Sequence, residues 1–114
     1  MTILSASTLS GDKVCNSAGE DLGKIEDFML DMESGRIRYA VLSFGGVLGV
    51  GNKLFAVPAD ALVVDQARKC LVLDVNQETL ENAPGFDKNE WPNFADADFG
   101  HTVYAHYGSA PYWR

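Results

Sequence analysis

Basic charge is scarce in this chain. Nine Lys and Arg stand against sixteen Asp and Glu, a formal net charge of −7, which repels phosphate backbones over most of the surface. Direct nucleic-acid binding is not expected. Cysteine is nearly absent: Cys15 and Cys70 are the two, far apart and behind no secretion signal, which reads as reduced thiols of a cytoplasmic protein rather than a disulfide framework. No apolar run approaches the ~20 residues that span a bilayer, and residues 1–10 have neither a basic start nor a long apolar stretch. Membrane insertion is not expected either.

Catalytic and cofactor spacings are also missing. Gly45, Gly46, Gly49 and Gly51 contain no G-x-G-x-x-G, and Asn52 stands where a P-loop carries its lysine. The apolar run that follows reads as a strand, where a phosphate site needs a helix N-terminus. Gly45–Gly51 then serves as a wide turn, with Val47, Leu48 and Val50 offered to a partner. His101 and His106 lie five residues apart, about 500° around a helix, and do not share a face. They read as solvent-exposed. Glu20, Asp21, Glu26, Asp27, Asp31 and Glu33 lack the spacing of a calcium loop and read as a strand edge charged against further pairing. No local nucleophile motif is present. No metal, cofactor or enzymatic activity is expected.

What the chain does have is short strands. At 114 residues it is one domain by length. Lys13–Asn16, Leu22–Met32, Arg36–Phe44, Leu54–Val57, Leu62–Val64 and Cys70–Leu73 are rich in β-branched and aromatic residues and are separated by turn signals. Six such strands with no long helix between them predict a mainly β chain, an antiparallel barrel or sandwich rather than a parallel α/β sheet. Gly19 and Gly35 suit tight turns, and Pro58 ends its strand. In the second strand Ile25 is out of phase with Phe28, Leu30 and Met32, which predicts a bulge near Glu26-Asp27. Phe28, Leu30, Tyr39, Val41, Leu42, Phe55, Val57 and Leu71 are the expected core. Asn76 caps a short helix over Gln77–Asn82.

Aromatic residues crowd the C-terminus. Of six Phe, two Trp and four Tyr, eight fall within the last thirty residues: Phe86, Trp91, Phe94, Phe99, Tyr104, Tyr107, Tyr112 and Trp113. Such a segment must bury its rings. Phe99, Val103 and Tyr107 recur at four-residue steps and Gly108 follows, predicting an amphipathic helix over Ala95–Tyr107. Gly100 counts against that helix by about 1 kcal/mol.

Several runs together resemble the PRC-barrel family: Gly19-Glu20-Asp21-Leu22-Gly23-Lys24-Ile25-Glu26-Asp27, Ser34-Gly35-Arg36, Tyr39-Ala40-Val41-Leu42-Ser43-Phe44-Gly45-Gly46 and Phe55-Ala56-Val57-Pro58. The likeness covers about residues 7–83. Pro84-Gly85-Phe86-Asp87-Lys88 and Trp91-Pro92 resemble the tail of small stand-alone bacterial members. The resemblance implies a six-stranded β-barrel over 1–83, here with a helical, aromatic-rich extension over 84–114 that packs on the barrel or on a second subunit. It also implies an assembly module, as in the photosynthetic reaction centre H subunit and a ribosome maturation factor.

The expected function is accordingly a non-catalytic protein-interaction module that self-associates, a homodimer first among homo-oligomers, with a further protein partner unknown. Its expected surface is Val47, Leu48, Val50, Tyr104, Tyr107, Tyr112 and Trp113. One alternative is a ribosome or RNA-processing assembly factor acting through a ribosomal protein. Another is a small anionic ligand bound by Gly45–Gly51.

Overall fold

Turn chemistry lays out the first half of the chain. Gly19 and Gly35 hold φ of 86° and 75°, a region open to glycine without steric cost, and each reverses the chain into a hairpin. The computed structural model describes residues 3–9, 11–44, 53–65 and 67–113. Its elements are α1 (Ala6–Leu9), β1 (Lys13–Cys15), β2 (Asp21–Asp31), β3 (Arg36–Phe44), β4 (Lys53–Pro58), a 3-10 turn (Ala59–Ala61), β5 (Leu62–Asp65), β6 (Cys70–Leu73), α2 (Gln77–Glu81), β7 (Gly85–Phe86) and α3 (Ala97–His106).

The protein is mainly β, but its sheet differs from the expected six antiparallel strands. Seven strands run in the order β5-β6-β1-β2-β3-β4-β7, and β1 pairs with β6 in parallel. Among the described residues no ladder joins β5 to β7, so the sheet is not a closed one. The parallel pair follows from Ala59–Ala61. A single 3-10 turn redirects the chain without reversing it, so β5 leaves in the direction of β4 and β6 returns in the direction of β1. The seventh strand is the start of the C-terminal segment, set against β4 through Leu54↔Phe86 and Phe55↔Gly85.

Two bulges shape the long hairpin. Between Ile25↔Leu42 and Asp27↔Val41 the ladder gains Glu26 on β2, the bulge the apolar phase of β2 predicts. Between Met29↔Tyr39 and Leu30↔Ile37 it gains Arg38 on β3. That second bulge has no signature in the apolar pattern.

Both faces of β3 are buried. Ala40 and Leu42 face a core shared with Val14, Leu22, Ile25, Phe55, Val57, Leu71, Leu73 and Leu80, so strands from across the sheet and α2 enclose one interior. Tyr39 faces the other way, into a second cluster with Ala56, Val103 and Tyr104. Of the expected core, Tyr39, Val41, Leu42, Phe55, Val57 and Leu71 are buried and Phe28 is partly so. Leu30 is not: it is 56% exposed, and Met32 is 85% exposed, because the hairpin arm extends beyond anything that could cover that face.

Helix ends follow their caps. Asn76 Oδ1 accepts from the Thr79 N–H at 2.7 Å and starts α2. Asp96 caps α3 by accepting from the Asp98 N–H, so the helix begins two residues later than Ala95. It ends in a Schellman arrangement, with Gly108 at φ 69° and the Ser109 N–H donating to the Tyr104 carbonyl at 2.9 Å. Among the described residues no helix is long and apolar enough to cross a membrane.

Candidate interaction site

The C-terminal aromatics dock on their own chain. Tyr39, fully buried on β3, is the ring they gather around. Its centroid lies 5.4 Å from Phe94, 5.8 Å from Phe99 and 5.9 Å from Tyr104. Phe86, Trp91 and Phe94 continue the contact at 5.3 to 6.0 Å, separations at which tilted and edge-on rings attract. Phe86 and Phe99 thus cover the outer face of β3 and β4, while Trp91 stays 41% exposed at the margin. Burial pushes the Tyr39 and Tyr104 hydroxyls above the usual phenol range.

Gly100 has a reason to be in α3. A Cβ there would stand 2.7 Å from Trp113 Cζ2 and 2.9 Å from the Tyr39 hydroxyl, closer than side chains pack. The helix gives up propensity to let two rings approach.

Past α3 the chain turns back over the hairpin arm. The Arg38 guanidinium lies 3.9 Å from the Trp113 ring centre and 5.4 Å from that of Tyr112, and Arg36 lies 4.2 Å over Tyr112. Arg38 Nη2 donates to Asp31 Oδ2 at 3.0 Å, and the Tyr112 hydroxyl donates to the same oxygen at 2.8 Å. The Tyr104 hydroxyl donates to the Arg38 carbonyl at 2.7 Å. The extra residue of the β3 bulge is thus what carries Arg38 to the side occupied by the C-terminal segment. The Tyr112 hydroxyl, above all, holds the Asp31 carboxyl well below the usual carboxylate range. Donation by the Glu33 and Ser34 N–H groups and by Arg38 adds to it, and together these outweigh desolvation.

Between the hairpin arm and this segment lies a groove of about 810 Å³, lined by Met29, Leu30, Met32, Tyr39, Pro92, Phe94 and Trp113 with Asp31, Glu33, Arg38 and Asn93. The size suits a bound molecule or peptide side chains. Leu30 and Met32 stand exposed on its hairpin side. The Tyr39 hydroxyl and Trp113 Nε1 are buried and have no partner among the described residues, although buried polar groups are nearly always paired.

Of the residues expected to form a surface, Tyr104, Tyr112 and Trp113 come together around Arg38 and Tyr39, while Tyr107 packs against both core clusters. Tyr104 is fully buried, and the other three are partly so. Val47, Leu48, Val50 and the whole Gly45–Gly51 loop lie outside the described residues. His101 is exposed, but His106 is not simply solvated: its Nε2 lies 2.8 Å from the Thr79 carbonyl of α2. Cys15 and Cys70 are free thiols in a smaller pocket of about 290 Å³. The Cys70 thiol is pushed up to about 11, first by its hydrogen bond with Cys15 and then by burial, which makes it a weak nucleophile. Among the described residues no three His, Cys, Asp or Glu side chains gather as a metal site.

Asp31, Arg38, Leu30 and Met32 are the site residues the sequence concealed. The hairpin register sets Asp31 opposite Arg36, yet it is Arg38 that takes its charge.

A family model described as PRC-barrel domain matches residues 1–80 of the 114. The chain belongs to the PRC-barrel domain family. No curated protein matches it. PRC-barrel domains are generally small interaction modules rather than enzymes, and their fold is a β-barrel. In this PRC-barrel protein the matched part ends within α2, so β7, α3 and the aromatic rings that bury Tyr39 lie beyond it.

Proposed function

We propose that this PRC-barrel protein is a non-catalytic assembly module that pairs with a second copy of itself and holds a segment of a partner protein in the groove beside its hairpin arm. The exposed Leu30 and Met32 at the edge of that groove carry the reading: apolar side chains in such a position lower their free energy when another chain covers them. Residues 84–114 act in this reading as a cis extension that forms one wall of the groove.

Two measurements test it. Light scattering across a concentration series reads the pairing, and a 12.4 kDa species persisting at high micromolar concentration would sink self-association. For the groove, Leu30→Asp with Met32→Asp should leave the melting temperature unchanged and remove proteins that co-purify with the wild type. An unchanged set of co-purifying proteins would retire the groove as the docking site.

A further inference from the structure

Among the described residues the sheet leaves backbone edges open at β2, β7 and β5, and that of β5 is the least guarded. The outer edge of β2 beyond Ile25 carries Glu26, Asp27 and Asp31 and is broken by a bulge, devices that discourage further pairing. The edge at β7 is two residues long. The third, β5, carries no Lys or Pro and exposes Val63 and Val64, which are 63% and 40% accessible.

The backbone of β5 sets how that edge could be used. The Leu62 N–H donates to the Ala59 carbonyl rather than across to Leu73. Ladder groups alternate in direction along an antiparallel strand, so Val64 also turns its N–H and C=O away from β6. Outside the β5–β6 ladder and the 3-10 turn, no backbone hydrogen bond reaches Leu62–Asp65 among the described residues. From this the geometry points to a specific dimer: two copies of the chain join β5 to β5 in antiparallel register, with Val64 on the two-fold axis. This rests on the self-association proposed above and names its surface.

A second copy suits the edge because the register complements itself. Val64 of each copy donates to and accepts from Val64 of the other. Val63 then faces Asp65 of the second copy, so no acid meets an acid. Leu4, 42% exposed, lines the same depression as Val64, and the axis brings both copies of it to the contact. A joint this short is small beside a standard interface. It forms a concentration-dependent pair, and added salt tightens it by screening the two net charges of −7.

Analytical ultracentrifugation of the full chain tests the surface. Val64→Lys sets two ammonium groups on the axis and should raise the dissociation constant by roughly tenfold or more, with the circular dichroism spectrum unchanged. Val63→Lys, facing Asp65, should keep the dimer. If Val64→Lys unfolds the protein, Val64→Cys in a Cys15→Ser, Cys70→Ser background replaces it. A short bis-maleimide should join two such chains, and no cross-link at a dimeric concentration overturns the proposal. A wild-type monomer overturns both this inference and self-association, leaving β5 to a strand of another protein. A dimer that Val64→Lys does not weaken, or that Val63→Lys weakens equally, overturns this surface alone.

Discussion

Asp31 and Tyr112 lie 81 residues apart in the chain, and the Tyr112 hydroxyl donates to Asp31 Oδ2 at 2.8 Å. This contact fastens the last residues of the C-terminal segment to the hairpin arm, and Arg38 shares the same oxygen. It also sets how docking responds to acid. The Asp31 carboxyl is depressed in the folded chain, whereas an ordinary aspartate titrates near 3.9. Its contribution to stability is therefore complete above about pH 4–5 and is lost as pH falls below the ordinary value towards the folded one. Asp31→Asn removes that contribution at neutral pH and should flatten the acid limb of a stability–pH curve followed by Trp fluorescence. An acid limb as steep as that of the wild type would show that Asp31 does not couple docking to protons.

Gly100→Ala should destabilise the protein although alanine is the better helix former. The propensity gain is about 1 kcal/mol, and the new methyl meets Trp113 and the Tyr39 hydroxyl inside a packed cluster, where overpacking costs about 1–3 kcal/mol. Chemical denaturation reads the difference. A clearly more stable variant would mean that the Trp113 end of the segment gives way freely.

Two leucines separate core from rim. Leu42→Ala removes a fully buried side chain of the main core and should cost about 2–5 kcal/mol. Leu30→Ala, at an exposed position, should change stability by under about 0.5 kcal/mol. Equal costs in denaturant titrations would contradict the two environments.

Deleting residues 85–114 strips the outer face of β3 and β4. Tyr39 and Ala56, both buried by that segment, would meet water, so the truncated chain should melt lower and aggregate sooner. A truncated protein with an unchanged melting temperature and solubility would show that the segment is not part of the folded unit.

Local chemistry is the part of this structure that the amino-acid sequence determined by itself. Gly19, Gly35 and Gly108 stand at turns and a helix end that need positive φ. Asn76 caps α2, the phase slip of Ile25 marks the Glu26 bulge, and both apolar faces of Arg36–Phe44 announce a strand covered on two sides. Each depends on neighbours within a few residues, and such signals survive in a linear string. Tertiary structure alone decided the rest. The parallel β1–β6 pair depends on how far one 3-10 turn rotates the chain, and the bulge at Arg38 depends on the register of a partner strand. Leu30 and Tyr39 are apolar residues of one hairpin and look alike in sequence. One is exposed and the other fully buried, because Phe94, Phe99 and Tyr104, 55 to 65 residues further on, fold back over Tyr39 and not over Leu30.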